Sequence, residues 1–106
     1  MNKFLGMLGL AKRAGKITSG EFLSEQSIKN GQSRLIIIAS DISENGKKDI
    51  VNACSYYGVE YKEIGTSEEL GKAVGEDRRM VISVNDDNFR NAILSKIERI
   101  DEQYGR

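Results

Sequence analysis

The sequence contains no histidine, no tryptophan and no proline, and its single cysteine is Cys54. Without histidine, one chain has no imidazole to act as a general base or a metal ligand, and Cys54 has no base to activate it as a nucleophile. A lone cysteine cannot form an intramolecular disulfide either, which is typical of the reducing cytoplasm. These absences exclude histidine-dependent and Cys–His chemistry within one chain, and they predict a cytoplasmic protein.

Long apolar runs are also missing. No stretch approaches the ~20 apolar residues that a membrane-spanning helix needs. The N-terminal sequence MNKFL lacks the basic, apolar and small-residue regions of a secretory signal. We therefore expect no membrane partner.

An excess of charge of one sign is absent overall, because 16 basic residues balance 16 acidic residues. The balance is uneven along the chain: residues 1–34 carry six basic and two acidic side chains, whereas residues 35–69 carry three and seven. A basic N-terminal third is what a phosphate-binding surface needs. The zero net charge argues only against a polycationic protein that binds any nucleic acid.

The pattern of apolar residues predicts alternating helices and strands. Apolar residues recur at helical spacing from Phe4 to Ala14, and continuous β-branched runs at 35–39 and 80–84 are typical of strands buried on both faces. The other predicted elements are a strand at 16–19, a helix at about 20–30 capped by Thr18 or Ser19, a helix near 47–57, a strand at 59–64, a helix after a capping box of Thr66 and Glu69, and a helix from Asp86 or Asp87. This alternation favours an α/β protein in which residues 1–106 form one domain, a three-layer α/β/α sandwich with a central four-stranded mixed sheet.

Three features that resemble catalytic or metal-binding motifs have simpler explanations. Cys54 lies on an apolar helix face, so we expect it in the core. Asp86 and Asp87 stand at a helix start, where carboxylates usually cap the helix rather than bind a metal. The pair Gly71 and Gly75 has the spacing of a phosphate loop but lacks the following Lys-Ser/Thr. We therefore predict a non-enzymatic protein with no metal and no cofactor.

Two segments favour a binding surface. In the first, residues 12–22, three cations stand close to a predicted helix start whose free amides can bind an anion. Phe22 in this segment can stack on an unpaired base, but its position alone is more typical of a core residue. In the second segment, residues 74–79, Arg78 and Arg79 supply planar guanidinium groups suited to phosphates and base edges.

The first segment and much of the remaining chain resemble a known family. The stretch LGLAKRAGKITSGE at residues 8–21 resembles the opening of the bacterial YlxQ proteins, small relatives of the archaeal ribosomal protein L7Ae, which binds kink-turn RNA. The similarity continues through 35–41, 43–45, 47–48, 56–57, 69–75 and the final strand. It therefore covers nearly the whole chain, and it implies an α/β/α sandwich that binds RNA.

The chain departs from the family at the kink-turn signature, Gly-x-Asn-Glu-x-x-Lys at the start of the second helix. With the glycine at Gly20, the Asn, Glu and Lys positions hold Phe22, Leu23 and Gln26. In the family the Asn and Glu contact guanine edges of sheared G·A pairs, hydrogen bonds that Phe22 and Leu23 cannot form. The family's second contact region is the loop before the last strand, where Arg78 matches a basic position. The resemblance thus implies RNA binding with an altered recognition motif.

The predicted partner is structured RNA, either ribosomal or kink-turn-like, in a ribonucleoprotein that can include a protein partner; no DNA partner is expected. The predicted RNA-binding residues are Lys12, Arg13, Lys16, Ser19, Gly20, Glu21, Phe22, Gln26, Lys29, Arg78 and Arg79. The alternative is a protein-interaction module in which Phe22, Leu23 and the acidic middle third contact a protein partner.

Overall fold

The computed structural model describes the backbone of residues 1–103 and the side chains of residues 1–100. Helices and strands alternate along the chain as the apolar pattern predicts. The elements in chain order are α1 (Asn2–Arg13), β1 (Ile17–Ser19), α2 (Glu21–Lys29), β2 (Leu35–Ile38), α3 (Glu44–Tyr57), β3 (Tyr61–Glu63), α4 (Ser67–Ala73), β4 (Val81–Val84) and α5 (Asp87–Gln103).

The four strands form one mixed sheet in the order β1-β4-β2-β3. Strand β4 is antiparallel to both of its neighbours, β1 and β2, whereas β2 and β3 are parallel. The predicted four-stranded mixed sheet is therefore confirmed. The two strands predicted to be buried on both faces, β2 and β4, occupy the centre, and every residue of each is buried.

Alternate residues of the central strands enter two separate cores. Leu35 and Ile37 of β2 face one core, together with buried residues of α1, α4 and α5. Ile36 and Ile38 face the other, which includes Ile28 of α2 and buried residues of α3. Because strand side chains alternate between the faces of a sheet, one apolar run fills both cores. The result is the predicted three-layer sandwich.

Several predicted helix ends are confirmed, and the predicted start of α3 is corrected. The capping box is present, since the Thr66 side chain accepts from the Glu69 amide and the Glu69 carboxylate accepts from the Thr66 amide. Asp86 Oδ2 accepts from the Phe89 amide at 2.9 Å, as expected for a cap. Helix α3, by contrast, begins at Glu44 rather than near residue 47, because Ser43 Oγ accepts from the Gly46 amide and caps the helix there.

Cys54 lies in the second core, as predicted, with 1% of its surface exposed. Burial raises the pKa of its thiol to about 11, because the thiolate would lose its hydration in an apolar environment. The side chain is therefore a small apolar core residue and not an activated nucleophile.

Candidate nucleic-acid interface

The start of α2 and two loops meet at one edge of the sheet. Because β4 is antiparallel to both β1 and β2, the end of β1, the start of β4 and the end of β2 lie side by side, as the pairs Ser19–Ile82 and Ile38–Val81 show. The Gly20 amide donates to the Val81 carbonyl at 2.8 Å and fixes the start of α2 there. We call this edge the α2 edge; it comprises residues 19–23, 39–43 and 75–80.

The first turn of α2 has no side-chain cap. Gly20 occupies the N-cap position with φ 101° and ψ 153°, a conformation that essentially only glycine adopts. The predicted cap by Thr18 or Ser19 is wrong, because both hydroxyls accept hydrogen bonds from other parts of the fold: Thr18 Oγ1 from Asn85 and Ser27, and Ser19 Oγ from Arg79. The amides of the first turn are therefore left for solvent or a ligand.

Phe22 and Leu23 project from this first turn into solvent, with 71% and 54% of their surfaces exposed. The expectation that Phe22 belongs to the core is wrong. The inward face of α2 is formed instead by Ser24, Ser27 and Ile28. Both serines bond to β1: Ser27 Oγ donates to Thr18 Oγ1 at 3.2 Å, and Ser24 Oγ donates to the Thr18 carbonyl at 3.4 Å.

The loop between α4 and β4 packs directly on α4. An ideal Cβ built on Gly71 would lie 1.4 Å from the carbonyl oxygen of Asp77, so only glycine permits this approach. The Arg79 amide donates to the Ser67 carbonyl at 3.0 Å and ties the other end of the loop to the start of the same helix. Gly71 therefore has a packing explanation, and Gly75 adopts a positive φ of 75° in the turn after α4. The backbone contact at Gly71 brings Arg78 and Arg79 to the α2 edge.

Asp41 organises the centre of the edge. Its carboxylate accepts from the Ser67 amide at 2.7 Å and from the Ser67 hydroxyl at 2.6 Å. The Ser67 hydroxyl and amide bonds hold the pKa of the Asp41 carboxyl at about 2, well below its usual range. Sequence reasoning missed both residues; the available signal was a carboxylate just after a buried strand.

The two arginines of the loop differ in how freely they can reach a ligand. Arg78 bonds through Nε to Ser67 Oγ and through Nη2 to Asp41 Oδ2, both at 3.2 Å, yet 66% of its side chain remains exposed. Arg79 donates to Ser19 Oγ, to the Arg78 carbonyl and to Glu76 Oε1, and only 30% of its side chain is exposed. Arg78 can therefore contact a ligand, whereas Arg79 mainly links the loop to the end of β1.

The other predicted residues near this edge contribute unequally. Lys12 reaches towards the loop, with Nζ 3.8 Å from Glu76 Oε2. Arg13, in the last turn of α1, and Gln26, on the outer face of α2, are exposed. Glu21 Oε1 would lie 2.6 Å from a Cβ built on Gly46, so the Glu21 carboxylate sits against the first turn of α3.

Two predicted residues lie away from the α2 edge. Lys16 stands before β1, at the opposite end of that strand, where its carbonyl accepts from the Asn85 amide. Lys29 ends α2, roughly 12 Å along the helix axis from its start, and pairs with Glu25 at 3.2 Å. The basic N-terminal third of the sequence is thus divided between the two ends of the sheet and does not form one continuous face.

The chemistry of the α2 edge is that of a binding surface. It combines open helix amides, an exposed aromatic ring and an exposed guanidinium group, which suit phosphates and unstacked bases. Among the residues that the structure describes, no group of three or more His, Cys, Asp or Glu side chains could hold a metal ion. Within the same residues, no helix has both the length and the apolar character to cross a bilayer.

Comparison with known proteins agrees with this class of fold. The sequence profile of the Ribosomal protein L7Ae/L30e/S12e/Gadd45 family matches residues 2–95. The RNA-binding protein YlxQ of Bacillus subtilis is 37% identical over 92 residues, which is 87% of this chain and 92% of that protein.

Two solved structures share the architecture. A protein of unknown function from Bacillus halodurans has a TM-score of 0.86 at 35% identity, with 91% of this chain and 97% of that chain covered. The Giardia lamblia 15.5kD RNA binding protein has a TM-score of 0.76 at 22% identity, with 94% and 86% covered, and that likeness concerns the fold alone. The α/β fold described above is thus shared with these two structures. The chain belongs to the Ribosomal protein L7Ae/L30e/S12e/Gadd45 family, as its resemblance to the YlxQ proteins indicates.

Proposed function

We propose that this protein binds structured RNA at the α2 edge, without catalysis, as a cytoplasmic protein of one domain. The observation that carries the proposal is the uncapped start of α2, where Phe22 is 71% exposed beside the exposed Arg78 loop, in a chain of this family. The proposed RNA is ribosomal or kink-turn-like, as the family resemblance suggests.

Phosphate groups would be bound by the amides of the first turn of α2 and by nearby cations. A helix N-terminus offers both unpaired amides and the positive end of the helix dipole. Arg78 adds a guanidinium group whose Nε and Nη2 are already held by Ser67 and Asp41, so its remaining N–H groups would contact the phosphate. Lys12 and Arg13 extend the cationic surface from α1, whereas Lys16 and Lys29 would contact only an RNA long enough to reach the other end of the sheet.

Base recognition would rest on stacking rather than on hydrogen bonds to base edges. Phe22 and Leu23 replace the Asn and Glu of the kink-turn signature, and a phenyl ring can stack on any unstacked base. Each lost bidentate base contact costs about 1–3 kcal/mol in discrimination. We therefore expect an affinity for kinked or bulged RNA that depends on shape and only weakly on sequence.

The ionic component of binding should be small. Lys12, Arg13 and Arg78 are the cations at or beside the edge with exposed or half-exposed side chains. Each phosphate contact contributes a slope of roughly −0.7 to −0.9 to log K against log[salt]. Three contacts predict a slope of about −2 to −3, shallower than that of a polycationic binder.

The test compares two exposed aromatic residues. Phe22→Ala should weaken binding of a bulged, kink-forming RNA duplex about tenfold, because stacking of one base on an aromatic ring contributes about 1–3 kcal/mol. The control is Tyr56→Ala, which removes an 82% exposed ring from the last turns of α3, outside the α2 edge, and should leave binding unchanged. Affinity is measured by fluorescence anisotropy at two salt concentrations, with a fully paired duplex as the second RNA.

Equal, negligible binding to both RNAs would contradict the proposal. An equal loss in the two alanine variants would place the RNA elsewhere on the surface. The exposed apolar pair Phe22 and Leu23 also supports the alternative of a protein-binding surface. That alternative would gain support if Phe22→Asn abolished capture of a partner whose binding RNase leaves intact.

A further inference from the structure

A second surface adjoins the α2 edge, with which it shares Gly75, in a groove of about 730 Å³ between α1 and α4. Its apolar lining, the floor of the groove, consists of Leu5 and Gly9 of α1, Ala73 at the end of α4, and Val74 just after that helix. The two helices touch at its base, since a Cβ built on Gly9 would lie 3.1 Å from the Ala73 carbonyl oxygen. Above that contact the groove is open to solvent and largely apolar.

Gly6 borders this groove without any packing reason for being glycine. It lies within α1, and a Cβ built on it would have no atom of the described residues within 4 Å. Glycine within a helix is less stable than alanine, so the isolated fold gains nothing from it here. What Gly6 does provide is bare helix backbone at the groove wall. Leu10, about one turn further along α1, is 47% exposed.

The rim of the groove is positively charged. Among the described residues, Lys12, Arg13, Lys72 and one acidic residue, Glu69, line it; Lys12 is paired with Glu76 at 3.8 Å. The Glu69 carboxylate is engaged by the start of α4, where Oε1 accepts from the Thr66 amide at 3.0 Å. Within residues 1–100, Arg13 and Lys72 make no salt bridge. The charge offered to a ligand is therefore basic on both sides of an apolar floor.

We propose that this groove docks an acidic amphipathic α-helix of a partner protein. Apolar side chains at i, i+3 or i+4 and i+7 of that helix would cover Leu5, Ala73 and the exposed backbone at Gly6, while its Asp and Glu residues would face Lys72 and Arg13. The groove extends along α1 from Leu5 to Arg13, about 12 Å, which matches two turns of a helix. Bare backbone at Gly6 allows the partner to approach closely.

An acidic protein helix fits this groove better than RNA does. The floor consists of aliphatic side chains and helix backbone whose amides are already bonded within α1 and α4. It therefore offers no donor to a phosphate that would lose its hydration there. A protein helix, by contrast, buries an apolar stripe on the floor and leaves its carboxylates at the basic, hydrated rim, the usual arrangement of a protein interface.

The test uses two synthetic helical peptides of about 15 residues, long enough to hold some helix in water. Both carry leucine at i, i+3, i+4 and i+7; one has glutamate and the other lysine at the flanking positions. Binding to the full chain is followed by calorimetry and by the backbone amide resonances of the protein. The glutamate peptide should bind and shift resonances in the two stretches 5–13 and 72–75, whereas the lysine peptide should not bind.

Two variants separate the groove from the α2 edge. Gly6→Leu fills the open wall and should weaken binding of the glutamate peptide at least tenfold, while Ser95→Leu places the same side chain on an exposed position of α5 and should have no effect. Lys72→Glu, a surface change that leaves the fold intact, should weaken binding of the glutamate peptide about tenfold. The same change should allow the lysine peptide to bind.

The proposal would be overturned if neither peptide bound, if both bound equally, or if Lys72→Glu changed the binding of neither. A structured RNA that displaces the glutamate peptide and shifts the resonances of residues 5–9 and 72–74 would also overturn it, since the groove itself would then be an RNA surface. RNA affinity measured on Lys72→Glu should equal that of the unchanged chain. Loss of RNA binding by Phe22→Ala tests the α2 edge independently, so the two proposals can fail separately.

Discussion

Two helix starts, that of α2 within the α2 edge and that of α4 beside it, differ in how completely their backbone groups are bonded. At the start of α4, Thr66 and Glu69 form a reciprocal capping box, and Asp41 binds both the amide and the hydroxyl of Ser67. At the start of α2, Gly20 has no capping side chain, and the apolar side chains of Phe22 and Leu23 are exposed to solvent. One start is closed by the protein's own residues, and the other is open.

The difference indicates a division of roles. The closed start holds the loop before β4 against α4 through Gly71 and through the Arg79 amide. That rigid loop keeps Arg78 in a fixed position beside the open start. Binding groups are most effective when packing and hydrogen bonds behind them fix their geometry. The capped start of α4 therefore fixes the position of Arg78 beside the uncapped start of α2.

The largest expected effect comes from Gly71→Ala, which would force the loop away from α4. The new Cβ meets a backbone carbonyl, that of Asp77, which cannot rotate aside as a side chain can. We expect a loss of about 3 kcal/mol in the free energy of unfolding, the upper end of the range for overpacking. Urea-induced unfolding followed by circular dichroism measures it.

The control for that change is Gly6→Ala, also within a helix but with nothing near its Cβ. It should stabilise the chain by about 0.5–1 kcal/mol, because alanine is the better helix former. Similar effects from the two substitutions would show that the close contact at Gly71 does not hold the loop.

A smaller effect is expected where the closed start loses its cap. Thr66→Ala should cost about 1 kcal/mol, the usual contribution of an N-cap hydroxyl, whereas Thr66→Ser keeps the hydroxyl and should cost much less. At the open start, Ser19→Ala removes no cap and should cost less than Thr66→Ala. Thermal unfolding of the three variants measures these losses of stability. An equal loss in Ser19→Ala and Thr66→Ala would contradict the difference between the two helix starts.

The most modest effect is a dependence on pH. The pKa of Asp41 is about 2 in the folded chain, below the usual value of 3.8, so the folded state binds this proton less readily than the unfolded state. The stabilisation is present in full above about pH 4 and is lost as the pH falls towards about 2. Unfolding of the unchanged chain and of Asp41→Asn should therefore converge over that range; a difference that stays constant with pH would contradict this account.

Much of the fold was predictable because its signals are local. The β-branched run at 35–39 predicts a strand buried on both faces, and the spacing of Thr66 and Glu69 predicts a helix start; the structure confirms both. Cys54 was correctly placed in the core by the apolar spacing of its helix. Such features depend on residues within one or two turns of each other, so no knowledge of distant contacts is needed.

The sequence by itself determined the α/β alternation, the family and two of the three segments that contribute to the α2 edge. The tertiary structure alone decided which residues of those segments meet there. It exposed Phe22 by turning Ser24, Ser27 and Ile28 inward, and it paired Asp41 with Ser67, 26 positions away. It also placed Lys16 at the far end of β1. The physical reason is that burial and charge clustering depend on strand order and helix rotation, which are set by contacts between residues far apart in the chain.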